Sequence, residues 1–83
     1  MLFRSKMEEM SEAELEALIL AKDSNNEARF VLGRLMIEGS SEKVPQNENK
    51  GLNWIKEASK KGHQEAMEYK TYWDIRFDRA PNL

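Results

Sequence analysis

The hydrophobic and polar positions of this chain recur with a helical period along most of its length. From Asn26 onwards, apolar residues fall three and four positions apart, the spacing that places side chains on one stripe of an α-helix. Gly39 follows the last periodic residue, which is typical of a helix that ends in a left-handed glycine. The pattern therefore predicts a helix from Asn26 to the residue before Gly39. Its predicted buried stripe comprises Ala28, Leu32, Leu35 and Met36.

A glycine interrupts this helix at a position where it should be costly. Gly33 lies in the middle of the periodic segment, where glycine destabilises a helix by about 1 kcal/mol relative to alanine. A neighbouring helix that comes too close for a side chain would explain it. The alternative is a glycine tolerated at the surface.

The next periodic segment follows the same logic. Asn47 has a side chain that can cap the first helical turn, and Gly62 closes the segment. Two helices joined by the loop between Gly39 and Asn47 form an antiparallel hairpin. The predicted buried face of the second helix comprises Leu52, Ile55, Ala58 and Ser59, with Trp54 beside it.

Another helix is predicted before this hairpin. Ser11 and Glu14 match a capping box, in which each side chain satisfies a backbone donor of the first helical turn. The helix that begins there should end at the polar run DSNN, residues 23–26. Residues 1–10 are predicted to be a flexible arm.

A last helix is predicted after the hairpin, from about His63 to Asp78. Pro81 prevents further helix, so residues 79–83 are predicted to be a tail. Residues 11–78 then form a single domain, which suits a chain of 83 residues.

Small residues, one tryptophan and two turn glycines occur in the order of a known repeat. The positions concerned are Ala28, Leu32, Gly33, Gly39, Val44, Lys50, Trp54, Ala58, Gly62 and Ala66. They resemble one complete Sel-one-like repeat, at about residues 26–62. Ala28 and Ala66 would be equivalent positions of successive repeats, 38 residues apart, within the range of about 20–50 residues that helical repeats show. Gly51 and Ser59 depart from the family, which usually has alanine there.

The Sel-one-like family is a subclass of the tetratricopeptide-like helical solenoids. The resemblance therefore implies an all-α fold, a short α/α solenoid of about four antiparallel helices. Similar proteins act as adaptors, which implies a protein–protein interaction module that binds another protein or a peptide. An alternative is a helical accessory or regulatory domain of a larger enzyme or complex. Self-association through the solenoid ends is a further expectation, because so short a stack is marginal.

The resemblance also indicates which surface should bind. In tetratricopeptide-like stacks the first helix of each hairpin lines the concave face, so the helices that begin near Asn26 and His63 should line it here. An arginine between apolar groups, opposite aromatic residues, is favoured at interface anchors. The alternative is that these side chains close the core of the stack itself. The candidate partner-binding residues are Phe30, Arg34, Ile37, Tyr72, Trp73 and Arg76.

Composition argues against several other function classes. The chain has no cysteine, which removes disulfide scaffolds, thiolate metal sites and cysteine nucleophiles. A net charge of −2 gives no nucleic-acid footprint. His63 is the only histidine and lies beside a predicted turn, where a capping or surface role is expected. We therefore expect no enzyme activity, no cofactor and no metal.

No apolar run approaches the length of a membrane span, and the first residues lack the apolar core of a signal peptide. The expected partner is therefore not a membrane, and the expected location is the cytoplasm.

The charge is unevenly distributed along the chain. Residues 1–28 hold three basic and seven acidic residues, a net charge of −4, whereas residues 29–83 hold ten and eight, a net charge of +2. One interpretation is that the acidic and the basic residues lie on two separate faces, both exposed to solvent. The other is that the acidic first helix packs against the side that carries Lys56, Lys60 and Lys61, or docks a basic segment.

Overall fold

A computed structural model describes residues 3–74 and places five helices within that range. Helix α1 spans Arg4–Met7, α2 Glu12–Ala21, α3 Asn26–Glu38, α4 Glu48–Lys60 and α5 Gln64–Trp73. No strand occurs between residues 3 and 74, so the all-α prediction is confirmed. The four predicted helices correspond to α2–α5, and α1 is additional. The end of the last predicted helix and the tail at residues 79–83 lie outside the described residues.

The helix ends follow the capping chemistry of the sequence. The Ser11 hydroxyl accepts from the Glu14 N–H at 3.2 Å, and the Glu14 carboxylate accepts from the Ser11 N–H at 2.9 Å. The same backbone donor lowers the pKa of Glu14, because it stabilises the charged carboxylate. Asn47 caps α4, and Gly39 closes α3 in the left-handed conformation with a φ of 64°. The capping box, the Asn47 cap and the closing role of Gly39 are confirmed.

Helix α3 forms the centre of the fold. Every residue from Ala28 to Ile37 is buried except Arg34, so nearly the whole circumference of the helix is covered. A helix that is apolar on more than one stripe needs neighbours on more than one side. The neighbours contribute to the core Met7 from α1, Leu15 and Ile19 from α2, Ile55 and Ala58 from α4, and Ala66 from α5.

Two glycines allow α3 and α4 to cross closely. A Cβ atom added to Gly33 would lie 2.7 Å from the carbonyl oxygen of Gly51, and one added to Gly51 would lie 2.6 Å from that of Gly33. Neither position accepts a side chain unless the backbones move apart. The predicted close helix contact at Gly33 is confirmed. Gly51, a departure from the family pattern, is its reciprocal partner.

Helices α3 and α4 run antiparallel. The Asn47 N–H, at the start of α4, donates to the Met36 carbonyl near the end of α3 at 2.9 Å. At the opposite end, the Asn26 amide donates to the Lys61 carbonyl at 3.5 Å. The predicted hairpin is therefore present.

Alternate helices run parallel to each other. Polar side-chain contacts join the start of each helix to the start of the next helix but one. Further contacts join the later parts of the same two helices. For α3 and α5 the pairs are Glu27 with His63 and Glu38 with Tyr69; for α2 and α4 they are Glu12 with Lys50 and Asp23 with Lys61. The helices α2–α5 thus alternate in direction along the chain.

Lysines of α4 and its C-cap form ion pairs with acidic residues of α2 and of the turn that follows it. Lys50 lies 2.9 Å from Glu12 and 4.0 Å from Glu16, and the hydrogen bond to Glu12 raises the pKa of Lys50. Lys61 lies 3.2 Å from Asp23 and lowers the pKa of that carboxyl. The acidic helix therefore faces basic residues of α4 and its C-cap. This agrees with the interpretation that the acidic first helix packs against a basic side of the hairpin. Lys61 is one of the three lysines named for it, whereas Lys50 is not.

The segment predicted as a flexible N-terminal arm is folded where the structure describes it. Residues 4–7 form α1, and the side chain of Met7 is buried. An isolated helix this short is not stable in water, so contacts with the rest of the fold must hold it. A helix of one turn leaves too short a periodic signal in the sequence, which is why the prediction differs from the structure.

None of the helices within residues 3–74 combines the length and the apolar character needed to cross a lipid bilayer.

Candidate protein-interaction surface

Two of the predicted partner-binding residues lie in the core. The side chains of Phe30 and Ile37 are 3% and 6% exposed. Ile37 packs against α4, where its Cγ1 atom would lie 2.9 Å from a Cβ atom on Gly51. Phe30 is covered by α1 and by residues of α5. Both side chains therefore belong to the core in this structure, as the alternative interpretation of these residues expects.

Three of the remaining predicted residues, all within the described range, lie nearer the surface. Arg34 is one-fifth exposed and pairs with Glu8 and with Glu38, the latter at 3.3 Å. Tyr72 is 55% exposed, and Trp73 is half-buried against the core. Arg76 lies outside the described residues.

Helix α1 covers one face that is shared by α3 and α5. We call this surface the α3–α5 face. Aromatic rings and charged groups of both helices form it, around the ring of Phe30. Its residues are Glu27, Phe30 and Arg34 from α3, together with His63, Glu65 and Tyr69 from α5 and its cap.

The guanidinium of Arg4 is bound between two carboxylates of the α3–α5 face. Its Nε donates to Glu27 Oε2, while Nη1 donates to Glu65 Oε2 at 2.8 Å and Nη2 to Glu65 Oε1. The guanidinium carbon lies 5.1 Å from the centre of the Phe30 ring, within reach of a cation–π interaction. These hydrogen bonds raise the pKa of Arg4 and lower the pKa values of Glu27 and Glu65.

His63 fixes one of these carboxylates in place. Its Nδ1 accepts from the Ala66 N–H at 3.1 Å and so caps α5. Since Nδ1 acts as an acceptor, the ring proton lies on Nε2, which donates to Glu27 Oε1 at 2.8 Å. The imidazole also stacks on the Phe30 ring, with 5.1 Å between the ring centres. The predicted capping role of His63 is confirmed, and a second contact with Glu27 accompanies it.

One cation fits between these groups. Ligand atoms of Glu27, His63 and Glu65 all lie within 4.8 Å of one another, a spacing that could also hold a metal ion. In the structure the Arg4 guanidinium already satisfies both carboxylates. A metal ion would have to displace it, so in this structure the cluster is an arginine site.

A second ion pair and one apolar contact hold the other end of α1. Glu8, directly after α1, accepts from Arg34 Nη2. Met7 is buried between the two charged ends. Arg4, Met7 and Glu8 are spaced i, i+3 and i+4, which places them on one helical stripe. The α3–α5 face therefore contacts α1 through a cation and an anion, and Met7, on the same stripe, is buried in the hydrophobic core.

Tyr69 borders the same face. Its ring meets Phe30 edge-on, with 6.0 Å between centres, and its hydroxyl donates to Glu38 Oε2 at 3.4 Å. Burial, reinforced by the charge of Glu38, raises the pKa of Tyr69 to about 12. Tyr69 therefore keeps its proton, and with it a donor for Glu38, at neutral pH.

A separate, open cleft lies between α2 and α4. It has a volume of about 470 Å³, and Ile19, Leu20 and Trp54 line it together with Arg29. Arg29 is 4% exposed, and its guanidinium donates to the Asp23 carboxylate at 2.9 Å. The buried arginine thus fastens the turn between α2 and α3. Sequence reasoning did not foresee the cleft or the buried arginine.

Sequence reasoning also missed most residues of the contact with α1. Arg4 and Glu8 belong to the predicted arm, and Glu27 and Glu65 were not considered as binding groups. Only the spacing of Arg4, Met7 and Glu8 on one helical stripe could have indicated a docked helix. A stripe of one turn is too short to carry that inference without the structure.

Comparisons of the chain with family models, with curated proteins and with solved structures found no match. The resemblance to a Sel-one-like repeat therefore stays a prediction.

The docking of α1 should weaken in acid. A carboxyl whose pKa is lowered in the folded state stabilises that state above its ordinary pKa, and the stabilisation is lost as the pH falls through the folded value. Glu27 and Glu65 are such carboxyls because of Arg4. Solvent screens these partly exposed groups, so Arg4→Ala should cost about 1 kcal/mol at pH 7. At about pH 2, where more of both carboxyls is protonated, the cost should be smaller.

Urea unfolding of both chains at the two pH values measures this difference. Lys6→Ala is the matched control, because it removes a positive charge from an exposed position of the same helix. A cost of Arg4→Ala that stays the same at both pH values would show that its ion pairs do not hold α1.

Proposed function

We propose that this chain is a protein-interaction module whose α3–α5 face binds a short helix of a partner protein. In the free chain α1 occupies that face. The observation that carries the proposal is the seating of α1 by Arg4, which bonds to Glu27 and Glu65, 23 and 61 residues away in sequence. A surface that holds one short helix through charged and apolar contacts has the chemistry to hold another.

The arrangement of helices supports a repeat architecture for the module. Alternate helices run parallel, and Ala28 and Ala66 are both fully buried. Each has its N–H bound at 3.1 Å by the cap of its helix, Asn25 in one case and His63 in the other. These equivalences favour a short tetratricopeptide-like stack with one full Sel-one-like repeat at about residues 26–62. Helices α3 and α5 would then each be the first helix of a hairpin, and both would line the concave face.

The energetics allow α1 to be displaced. Complete burial of a methionine side chain contributes about 1.5–3 kcal/mol, and each partly exposed ion pair contributes about 0–1 kcal/mol. Ordering the backbone of α1 costs about 1–2 kcal/mol per residue, which offsets much of this gain. The tether supplies α1 at an effective concentration in the millimolar range. A partner helix with more contacts should therefore compete successfully.

The test uses full-length chains and a labelled peptide of residues 3–11, FRSKMEEMS. The variant Arg4→Ala/Glu8→Ala removes both ion pairs of α1 but keeps Met7. Its α1 should compete less, so the peptide should bind it about tenfold more tightly than it binds the wild-type chain. Fluorescence anisotropy measures the affinity, and circular dichroism checks that the variant is folded.

The matched control is Lys6→Ala/Glu9→Ala, which removes the same two charges from exposed positions of the same segment. It should bind the peptide as the wild-type chain does. The proposal would be wrong if the folded Arg4→Ala/Glu8→Ala chain does not bind the peptide. It would also be wrong if nuclear magnetic resonance shifts on binding fall away from α3 and α5.

A further inference from the structure

We propose that the α3–α5 face selects partner helices that carry an arginine, followed three positions later by an apolar residue and four positions later by an acidic one. This inference rests on the proposed function and names the chemistry of the partner. Its basis is the way in which the face holds Arg4, Met7 and Glu8 of its own chain.

The site matches the shape of a guanidinium. Three different nitrogen atoms of Arg4 donate to three carboxylate oxygens, one on Glu27 and two on Glu65. The planar fork of arginine can make these bonds together, whereas the compact ammonium of lysine cannot span both carboxylates in the same way. The Phe30 ring lies 5.1 Å from the guanidinium carbon and adds a face on which a flat cation is held.

Glu27 is held in position by a group other than Arg4, and the charge of both carboxylates is favoured by the helices that carry them. Both lie in the first turn of a helix, where the positive end of the helix dipole favours an anion. The His63 Nε2–H holds Glu27 at 2.8 Å, and the capping bond to Ala66 holds His63. The arginine site should therefore persist when α1 leaves, because its supports belong to α3 and α5.

The predicted internal repeat would account for this pair of carboxylates. Glu27 and Glu65 directly precede Ala28 and Ala66, the two buried alanines that occupy equivalent positions. Two parallel helices with a glutamate at the same point of the first turn place both side chains at one end of their shared face. A guanidinium bridges them there.

The second ion pair sets the orientation of the bound helix. Glu8 bonds to Arg34, which lies further along α3 than Glu27. A helix with arginine first and glutamate four residues later therefore lies parallel to α3 and α5. If the same helix were bound in the opposite direction, its arginine would lie near Arg34 and its acidic residue near Glu27 and Glu65. Like charges would then repel at both ends.

The test compares three peptides of residues 3–11 on the full-length Arg4→Ala/Glu8→Ala chain. The first has the natural arginine at position 4, the second lysine, and the third citrulline, which keeps the shape of arginine without its charge. The lysine and citrulline peptides should each bind about tenfold more weakly than the arginine peptide. The peptide series needs no further change in the protein.

A substitution in the site supplies the second arm of the test. Glu65→Gln, at a half-exposed position, should weaken binding of the arginine peptide and leave the citrulline peptide unaffected. Glu68→Gln, an exposed position of the same helix, is the control and should change neither affinity. This cycle isolates the contact between the guanidinium and Glu65 from general effects of charge.

The outcomes separate the two proposals. Equal affinities for the three peptides, with shifts on α3 and α5, would overturn selection of arginine while leaving a helix-binding face in place. Failure of every peptide to bind the folded chain would instead overturn the proposed function. A loss of citrulline-peptide binding in Glu65→Gln that equals the loss for the arginine peptide would also overturn the selection.

Discussion

Gly33→Ala should lower the free energy of unfolding by about 2 kcal/mol, although alanine favours a helix by about 1 kcal/mol over glycine. The added Cβ atom would lie 2.7 Å from the Gly51 carbonyl oxygen and 2.9 Å from Ile55 Cγ1. The carbonyl belongs to a helix backbone and cannot rotate away, so α3 and α4 must separate. Urea unfolding followed by circular dichroism measures the loss.

Asn53→Ala is the control for this prediction, since it also places alanine inside a helix of the crossing pair, here α4, but at an exposed position. It should leave the stability unchanged or raise it by a few tenths of a kcal/mol. Gly51→Ala should cost about as much as Gly33→Ala, and the double variant less than their sum, because both changes strain one contact. A Gly33→Ala chain more stable than the parent would contradict the close helix crossing.

Leu15→Ala should cost about 2–5 kcal/mol, whereas Leu20→Ala in the same helix should change the stability by no more than about 0.5 kcal/mol. Leu15 is fully buried and Leu20 is 86% exposed, so only the first substitution leaves a cavity. A domain of 83 residues has a total stability of about 4–12 kcal/mol. Leu15→Ala therefore removes a large part of it.

The two variants differ only in the side of α2 that they change, so helix propensity cancels from the comparison. Urea unfolding of both chains under the same conditions gives the difference directly. Equal costs would mean that α2 is rotated about its axis relative to this structure, with Leu20 turned into the core.

The sequence predicted the helix ends well because capping is local chemistry. Ser11 and Glu14 satisfy each other's backbone donors within one turn, and Gly39 needs only its own lack of a side chain to close α3. Neither depends on distant parts of the chain. Such features can be inferred wherever the right residues stand a few positions apart.

The burial of the candidate partner-binding residues was harder to predict because α3 is apolar on two stripes. Periodicity places Leu32 on the predicted buried stripe and leaves Phe30 outside it, where two interpretations stay open: contact with a partner, or closure of the core. The structure buries both, since α1 and α5 cover the second stripe. Whether the second stripe is buried depends on how many helices pack against α3. The pattern of apolar residues in α3 does not give that number.

The same reasoning explains why the sequence did not indicate the role of Gly51. In the sequence it is a departure from a family pattern, whereas in space it faces Gly33 across the helix crossing. The two glycines are 18 residues apart. Their relation depends on the angle and separation of α3 and α4, which no local pattern reports.

The contact between Arg4 and Glu65 closes a loop of 61 residues, which has a consequence for the order of folding. Neighbouring helices can pair soon after they form, because short loops cost little entropy to close. Helix α1 has its binding site only after α3 and α5 have come together, so it should dock last. During synthesis α1 leaves the ribosome before α5 does and cannot dock until α5 has followed. In that interval the stripe of Arg4, Met7 and Glu8 is open to other proteins.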